Sequence, residues 1–153
     1  MNDHEHFMRQ ALSEADRAAS ELEVPVGAVI VLKGRVIGRG ANRTIGACDP
    51  TAHAEIVAIG AACQAIGNYR LEGATLYVTL EPCPMCMGAI LWARVKTLVF
   101  GAADPKAGAC GSVLDLSDVA KLNHKVRVVR GILEEESAER LKAFFKRLRA
   151  RPS

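Results

Sequence analysis

Aromatic residues are scarce in this 153-residue chain. Phe, Tyr and Trp together make up 5% of the residues, whereas apolar residues of all kinds make up 50%. A core with this composition must consist mainly of Val, Ile, Leu and Ala. Charged residues amount to 24%, a globular composition that argues against intrinsic disorder. The length is typical of a single domain, so we predict one domain over residues 1–153.

Long hydrophobic runs, a secretory signal and a large excess of charge are also missing. The longest apolar run near the start, residues 24–32, is too short to span a bilayer. The polar first residues do not resemble a signal peptide. A net charge of +3 permits a nucleic-acid partner without requiring one. Five cysteines is an odd count that does not suit a disulfide framework. We therefore expect a soluble cytoplasmic protein with no membrane contact.

The hydrophobic pattern predicts an initial helix, then a hairpin, then alternating strands and helices. The helix covers residues 7–22, with Val24-Pro25 ending it, and the hairpin joins strands 26–32 and 35–41. The remaining strands are predicted at 74–80, 96–100 and 126–130, and the remaining helices at 53–66, 84–94 and 134–149. This order predicts helices packed on both faces of one mixed sheet.

Three of the predicted helices carry expectations about burial. Helix 53–66 is apolar almost all round, which predicts burial on most sides. Helix 84–94 is similarly apolar, and it lies either in deep core or in a subunit contact. The last helix has one apolar face, expected to be core, that consists of Leu141, Phe144, Phe145 and Leu148.

The segment on which the functional interpretation depends is Glu-Pro-Cys-Pro-Met-Cys at 81–86, combined with Thr-Ala-His-Ala-Glu at 51–55. Cys83 and Cys86 at the start of a helix share a face because they are three residues apart. A helix N-terminus lowers the pKa of a thiol, so we expect both sulfurs to be thiolates near neutral pH. Together with the imidazole of His53 they would make three ligands of a tetrahedral zinc site. A fourth position open to water is typical of catalytic zinc.

Glu55 is interpreted as a proton-transfer group and not as a ligand. It lies with His53 in the first turn of a predicted helix, where side chains can reach the space in front of the helix end. Zinc lowers the pKa of bound water to about 7. Glu55 would then take the proton of that water and pass it to the substrate, a role that typically contributes about 10²–10⁴ in rate.

Less specific hypotheses compete with this one. Cys83 and Cys86 could form a thiol–disulfide redox pair. Alternatively, a closed structural zinc site could recruit a fourth ligand from Cys48, Cys63, Cys110 or His124. The cationic end of the last helix either complements the helix dipole or contacts RNA phosphates. Its side chains are Lys142, Lys146, Arg147, Arg149 and Arg151.

His-Ala-Glu at 53–55 followed by Pro-Cys-Pro-Met-Cys at 82–86 resembles the signature of the zinc-dependent nucleobase and nucleoside deaminases. The resemblance implies a cytidine-deaminase-like α/β fold, which is a three-layer α/β/α sandwich with a five-stranded mixed sheet. It also implies one Zn²⁺ per chain, held by His53, Cys83 and Cys86. Glu55 would be the catalytic proton shuttle.

Beyond the signature, nearly the whole chain is similar to the bacterial tRNA-specific adenosine deaminases. The matching stretches are 23–29, 49–55, 74–83, 101–108, 122–124 and the closing helix with Phe144-Phe145. Members of that family convert the wobble adenosine of a tRNA anticodon to inosine and act as homodimers. The resemblance therefore implies attack of hydroxide at C6 of adenine with loss of ammonia. It also implies a tRNA anticodon loop and a second copy of the chain as partners.

The same resemblance assigns substrate contacts. They are Asn42, Ala54, Asp104, Lys106 and Asn123. Asp104 would accept a hydrogen bond from the ribose 2′-hydroxyl, the group that distinguishes RNA from DNA.

Two rival functions remain open at this point. Residues 83–94 also look like bacterial guanine deaminases, which act on the free base, whereas residues 101–112 favour the tRNA enzymes. The rival from a different class is a zinc-stabilised RNA-binding module without chemistry.

Overall fold

The computed structural model describes residues 3–151. Within that range the helices are α1 (Asp3–Ser20), α2 (Ala54–Ile66), α3 (Pro84–Trp92) and α4 (Glu134–Ala150). The strands are β1 (Gly27–Leu32), β2 (Arg35–Ala41), β3 (Thr75–Leu80), β4 (Thr97–Ala102) and β5 (Arg127–Val129). Each predicted element is present; β2 has the predicted bounds, and the ends of the others differ from the prediction by a few residues. None of the helices in residues 3–151 has the length and apolar character needed to span a membrane.

The five strands form one mixed sheet in the order β2-β1-β3-β4-β5. Strand β1 pairs antiparallel with β2 and β3, whereas β3, β4 and β5 run parallel. Helices α1 and α4 pack on one face of the sheet, and α2 and α3 pack on the other. This arrangement confirms the three-layer α/β/α fold with a five-stranded mixed sheet. Because β3 and β4 are parallel, the segments that follow them leave the sheet at the same edge.

Strands β1 and β3 are buried on both faces, as their continuous apolar sequences predict. Successive side chains alternate between two cores. The core under α2 and α3 receives Ala28, Ile30, Leu76 and Val78. The core under α1 receives Val29, Val31 and Tyr77, together with Met8 and Ala11 of the helix. Both cores are mainly aliphatic, in agreement with the low aromatic content.

The burial predicted for helix α2 is wrong, and of the two alternatives left open for α3, the deep core is excluded whereas the subunit contact stays a prediction. Helix α2 buries one face, which consists of Ala54, Glu55, Ala58 and Ala62, and its other faces are partly or fully exposed. Helix α3 buries Cys86, Met87, Ile90 and Leu91, whereas Met85 and Trp92 are exposed. A helix that is apolar on all sides is not necessarily buried on all sides, because it can pack only one of its faces on the sheet.

Two smaller predictions at the helix ends also need correction. Helix α1 ends at Ser20, and Leu22 follows in a left-handed conformation with its side chain 58% exposed. In α4, Phe144 is buried, but Phe145 and Leu148 are exposed. The reason is that α4 packs one face on β4, β3 and α1, which leaves its outer face uncovered.

Glycines in β2 allow α2 to approach the sheet closely. A Cβ atom on Gly38 would lie 2.5 Å from the backbone oxygen of Ala58 and 2.7 Å from the backbone nitrogen of Ala62. Gly40 makes a similar approach to the first turns of α2, where its Cβ would lie 2.6 Å from the nitrogen of Ala58. The position of α2, and with it that of His53 at its start, therefore depends on the absence of a side chain at Gly38 and Gly40.

We expect the substitution Gly38→Ala to lower the free energy of unfolding by about 1–3 kcal/mol, because the added methyl overlaps helix backbone that cannot move aside. The matched control is Gly60→Ala, since a Cβ at this exposed position of α2 meets no atom within 4 Å. That change should raise the free energy of unfolding by roughly 0.5–1 kcal/mol. Urea unfolding of both variants measures the difference. Equal stability of the two would contradict the close-packing argument.

Candidate metal centre and substrate pocket

The two motif segments meet at the N-termini of α2 and α3. His53 is the N-cap residue of α2 and Cys83 is the N-cap residue of α3, both with extended backbone. Pro84 is at the first helical position, as predicted, where its missing N–H leaves no helical bond unmade. Neither cap residue makes a side-chain capping hydrogen bond. Both side chains are therefore available to the space between the two helix ends.

His53, Cys83 and Cys86 converge in that space with ligand atoms within 4.8 Å of one another. Nδ1 of His53 lies 3.6 Å from Sγ of Cys83 and 3.5 Å from Sγ of Cys86. A tetrahedral zinc ion with Zn–S bonds of about 2.3 Å and Zn–N bonds of about 2.0–2.1 Å separates such atoms by about 3.5–3.6 Å. The two nitrogen–sulfur separations therefore fit the edges of a zinc tetrahedron.

The protonation of the two sulfurs differs from the prediction. The pKa of Cys83 falls to about 4, chiefly because the Cys86 thiol donates a hydrogen bond to its sulfur. The same hydrogen bond, together with burial, raises the pKa of Cys86 above its usual value. Only one thiolate is stable near neutral pH without a cation, because two adjacent negative charges repel each other in a buried place. This donor set suits a divalent cation that compensates both charges.

Glu55 lies beside the cluster in the first turn of α2. Its side chain is 4% exposed, and burial raises the pKa of its carboxyl to about 7. The imidazole of His53, whose pKa is raised by its hydrogen bond to Cys83, partly opposes that shift. A carboxyl with a pKa near neutrality can both accept and release a proton at working pH.

A pocket of about 310 Å³ opens over the cluster. Its walls include His53, Cys83 and Glu55 and three of the predicted substrate contacts, which are Asn42, Ala54 and Asp104. Oδ1 of Asn42 is buried and has no hydrogen-bond partner among residues 3–151, whereas its Nδ2 donates to the backbone oxygen of Val24. An unpartnered buried acceptor in a pocket wall is suited to a donor on a ligand.

Lys106 and Asn123 lie outside this pocket. Lys106 borders a neighbouring cavity of about 380 Å³ together with Phe145, Lys142 and Arg149. Asn123 borders a separate groove of about 330 Å³ beside Trp92 and Leu122. Within one chain the structure therefore does not bring all the predicted contacts together.

Sequence reasoning missed two buried carboxylates that fix the loops around the pocket. Glu23, which is 2% exposed, accepts the backbone N–H groups of Ile45 and Gly46 at 3.1 and 2.7 Å. Glu81, also 2% exposed, accepts the N–H groups of Asp104, Cys110 and Ser112. The sequence feature that could have identified them is their position directly beside an apolar run, where a charged residue is unexpected.

The geometry disfavours the closed structural zinc site. All five thiols are free. Within residues 3–151, His53, Cys83 and Cys86 form the one group of three or more potential metal ligands. Cys48, Cys63, Cys110 and His124 do not join it, so no protein side chain in this range completes a closed tetrahedron.

The fold and this pocket together define a deaminase of the cytidine-deaminase-like class. The tRNA-specific adenosine deaminase of Bacillus subtilis is 49% identical over 149 residues, which cover 97% of this chain and 92% of that protein. The sequence model of the MafB19-like deaminase family matches residues 2–149. The chain therefore belongs to this deaminase family, and within it to the tRNA-specific adenosine deaminases.

Solved structures separate the two enzymatic alternatives. One from a study of A-to-I editing by tRNA:A34 deaminases at the wobble position of transfer RNA has a TM-score of 0.86 and 53% identity. The match covers 89% of this chain and 99% of that one. Guanine deaminase from Bacillus subtilis has a TM-score of 0.66 and 34% identity, with 100% of this chain and 97% of that one covered. The chain is thus more similar to the tRNA enzyme by both measures.

We expect Cys83→Ala to lose bound zinc and activity together, because two remaining ligands cannot replace a three-ligand site. Zinc content should fall from about one ion per chain to near zero. Cys63→Ala is the matched control, since that half-buried cysteine lies outside the cluster. Elemental analysis of both variants after dialysis decides the assignment. Full zinc content in Cys83→Ala would remove Cys83 from the ligand set.

Proposed function

We propose that this enzyme hydrolyses adenosine to inosine at the wobble position of a tRNA anticodon, with His53, Cys83 and Cys86 holding one Zn²⁺ per chain. The observation that carries the proposal is the His-Cys-Cys cluster with nitrogen–sulfur separations of 3.5 and 3.6 Å at the base of the pocket. When bound there, zinc would lower the pKa of water and supply hydroxide near neutral pH.

Glu55 is the proposed proton shuttle. Its carboxylate would accept a proton from the attacking water and deliver it to the substrate, so that the C6–N bond breaks and ammonia leaves. Its burial beside His53 and Cys86 supports this role, since the raised pKa matches that of an acid–base group working near neutrality. Water adds at C6, and the products are inosine and ammonia.

The adenine base would be extruded from the anticodon loop into the pocket. A reactive carbon inside a base stack cannot reach the cluster, so the nucleotide must leave the stack. Oδ1 of Asn42 would accept a hydrogen bond from the substrate because it has no other partner within residues 3–151. Ala54, which is fully buried, and Asp104 would border the bound base or its ribose.

The cavity beside the pocket would contact the rest of the RNA loop. It presents the cationic side chains of Lys106, Lys142 and Arg149 around Phe145, a residue that is 39% exposed. Cations attract phosphates, and an exposed aromatic ring can stack on an unpaired base. Lys106 would then contact the nucleotides that flank the extruded base and not the base itself.

We further propose a homodimer of single-domain chains, located in the cytoplasm. Trp92, which is 75% exposed, stands beside the apolar groove with Leu91 and Leu122, and exposed apolar patches of this kind mark protein contacts. Asn123 borders the same groove, so a second copy bound there would also contact it. Five free thiols support a reducing compartment.

Purified enzyme given an anticodon stem-loop should release ammonia and convert one adenosine to inosine, with little turnover of free guanine. The reason is that the pocket wall continues into a cationic surface suited to RNA. Nucleoside analysis of the RNA and an ammonia assay measure both reactions. Rapid guanine turnover with unreactive RNA would establish the guanine deaminase instead.

The matched control for this assay is Glu55→Gln, which keeps the size of the side chain and removes its acid–base function. Deamination should fall by about 10²–10⁴ while zinc content and fold are retained. If the variant retained full activity, Glu55 would have no part in proton transfer. If wild-type enzyme bound RNA without any product, the zinc-stabilised binding module would be the better description.

Substitution of Trp92 by Glu should dissociate the dimer, because a buried Trp at an interface commonly contributes about 2 kcal/mol or more, roughly 30-fold in Kd. Sedimentation velocity over a concentration series measures the shift. Leu22→Glu is the control, since Leu22 is 58% exposed and lies at the other side of the sheet, after α1. A wild-type chain that stays monomeric at every concentration would contradict the proposed dimer.

A further inference from the structure

One wall of the substrate pocket is a loop whose first part, residues 103–107, has little apolar packing, although Ala109 and Cys110 after it are buried in the core. It follows β4 and contributes Asp104 and Ala107 to the pocket. Lys106 and Ala107 are exposed, and the carboxylate of Asp104 accepts the N–H groups of these same two residues at 3.0 and 3.2 Å. Such local bonds shape the turn but do not attach it to the rest of the protein.

The side chain of Glu81 makes that attachment. Oε1 accepts the N–H of Asp104 at 2.9 Å and the hydroxyl of Ser112, and Oε2 accepts the N–H groups of Cys110 and Ser112 at 2.9 and 3.1 Å. A carboxylate offers about four lone-pair positions, so four donors saturate it. Glu81 therefore has no capacity left to coordinate a metal, although it is two residues before Cys83.

The backbone on both sides strengthens the connection. The N–H of Ala109 donates to the oxygen of Pro82 at 2.8 Å, and the N–H of Glu81 donates to the oxygen of Ala102 at 2.8 Å. Gly108 lies directly against the Glu81 carboxyl, where a Cβ would overlap it. The loop is thus fixed to the segment that delivers Cys83.

We propose that Glu81 is a positioning residue that sets the distance between the pocket wall at Asp104 and Ala107 and the metal-ligand turn at Cys83. The role concerns substrate binding by the site described under the proposed function, on which it rests. Glu81 borders the pocket, but loop donors occupy its four acceptor positions, so it acts through the loop. Its loss should weaken substrate binding more than it slows the chemical step, because Glu55 and the three metal ligands remain in place.

The test is Glu81→Gln, which keeps the length of the side chain but turns an amide NH₂ toward N–H donors. Amide hydrogen exchange should become at least about tenfold faster in residues 104–112 and remain unchanged in α2. KM for an anticodon stem-loop should rise about tenfold, with kcat changed less than about threefold and zinc content retained. Amide hydrogen exchange and zinc content are both measured without substrate, so these two readouts do not depend on deaminase activity.

Three further variants sharpen the experiment. Gly108→Ala leaves Glu81 and every donor in place, but its added methyl forces the loop away from the carboxyl. It should therefore reproduce both the faster exchange in residues 104–112 and the higher KM. If Glu81→Gln fails to fold, Gly108→Ala tests the positioning role alone. Glu23→Gln should speed exchange at Ile45 and Gly46 but not at residues 104–112. Glu72→Gln, at an exposed carboxylate in a surface pair with Arg70, should change nothing.

Unchanged KM or unchanged exchange in residues 104–112 would overturn the proposal. So would faster exchange throughout the protein with kcat and KM impaired together, since that pattern describes a general loss of stability. An inactive wild-type enzyme would instead refute the proposed function. An active wild type with a normal Glu81→Gln variant would refute the positioning role alone.

Discussion

The convergence of two helix N-termini is the constraint on which the site depends. Ser, Thr, Asp and Asn are preferred at N-caps, and replacing them typically costs about 0.5–2 kcal/mol. Here the two N-caps are His53 and Cys83, and neither side chain caps its helix. The fold thus gives up two stabilising caps to point an imidazole and a thiolate at one place. Binding of the proposed zinc would offset that loss, because the His53 nitrogen and the two sulfurs are separated by about the edge of a zinc tetrahedron.

The low aromatic content has a direct structural consequence at the same site. Helix α2 approaches β2 through Gly38, Gly40 and the buried face at Ala54, Ala58 and Ala62. Larger side chains at this contact would move the helix away from the sheet and carry His53 and Glu55 with it. A core of small aliphatic residues therefore serves the geometry of the pocket as well as stability, since cores transmit changes in packed volume.

The features that could be predicted from the sequence are those that depend on local chemistry and on the order of elements along the chain. Strand β2 was predicted at its observed bounds, and the His-Cys-Cys cluster with Glu55 beside it is a feature of residue type and spacing. What depends on tertiary context was not predictable. An apolar helix such as α2 looks the same whether its outer face is covered or not, and Asn123 resembles a pocket residue until the fold places it in another groove. Glu81 illustrates the limit well, since its four donors come from residues 23 to 31 positions away.

Carboxylates suit the loops around this pocket for a physical reason. Apolar side chains long enough to anchor both loops would fill the space of about 310 Å³ that a substrate needs. Backbone N–H groups in such loops require acceptors in any case when they are buried. Glu23 and Glu81 accept these N–H groups, and Glu81 also lines the pocket. Each carboxylate holds backbone N–H groups directly, and Glu81 also accepts the hydroxyl of Ser112. The pocket can thus have fixed walls and an open interior, in a chain with few large residues to build them.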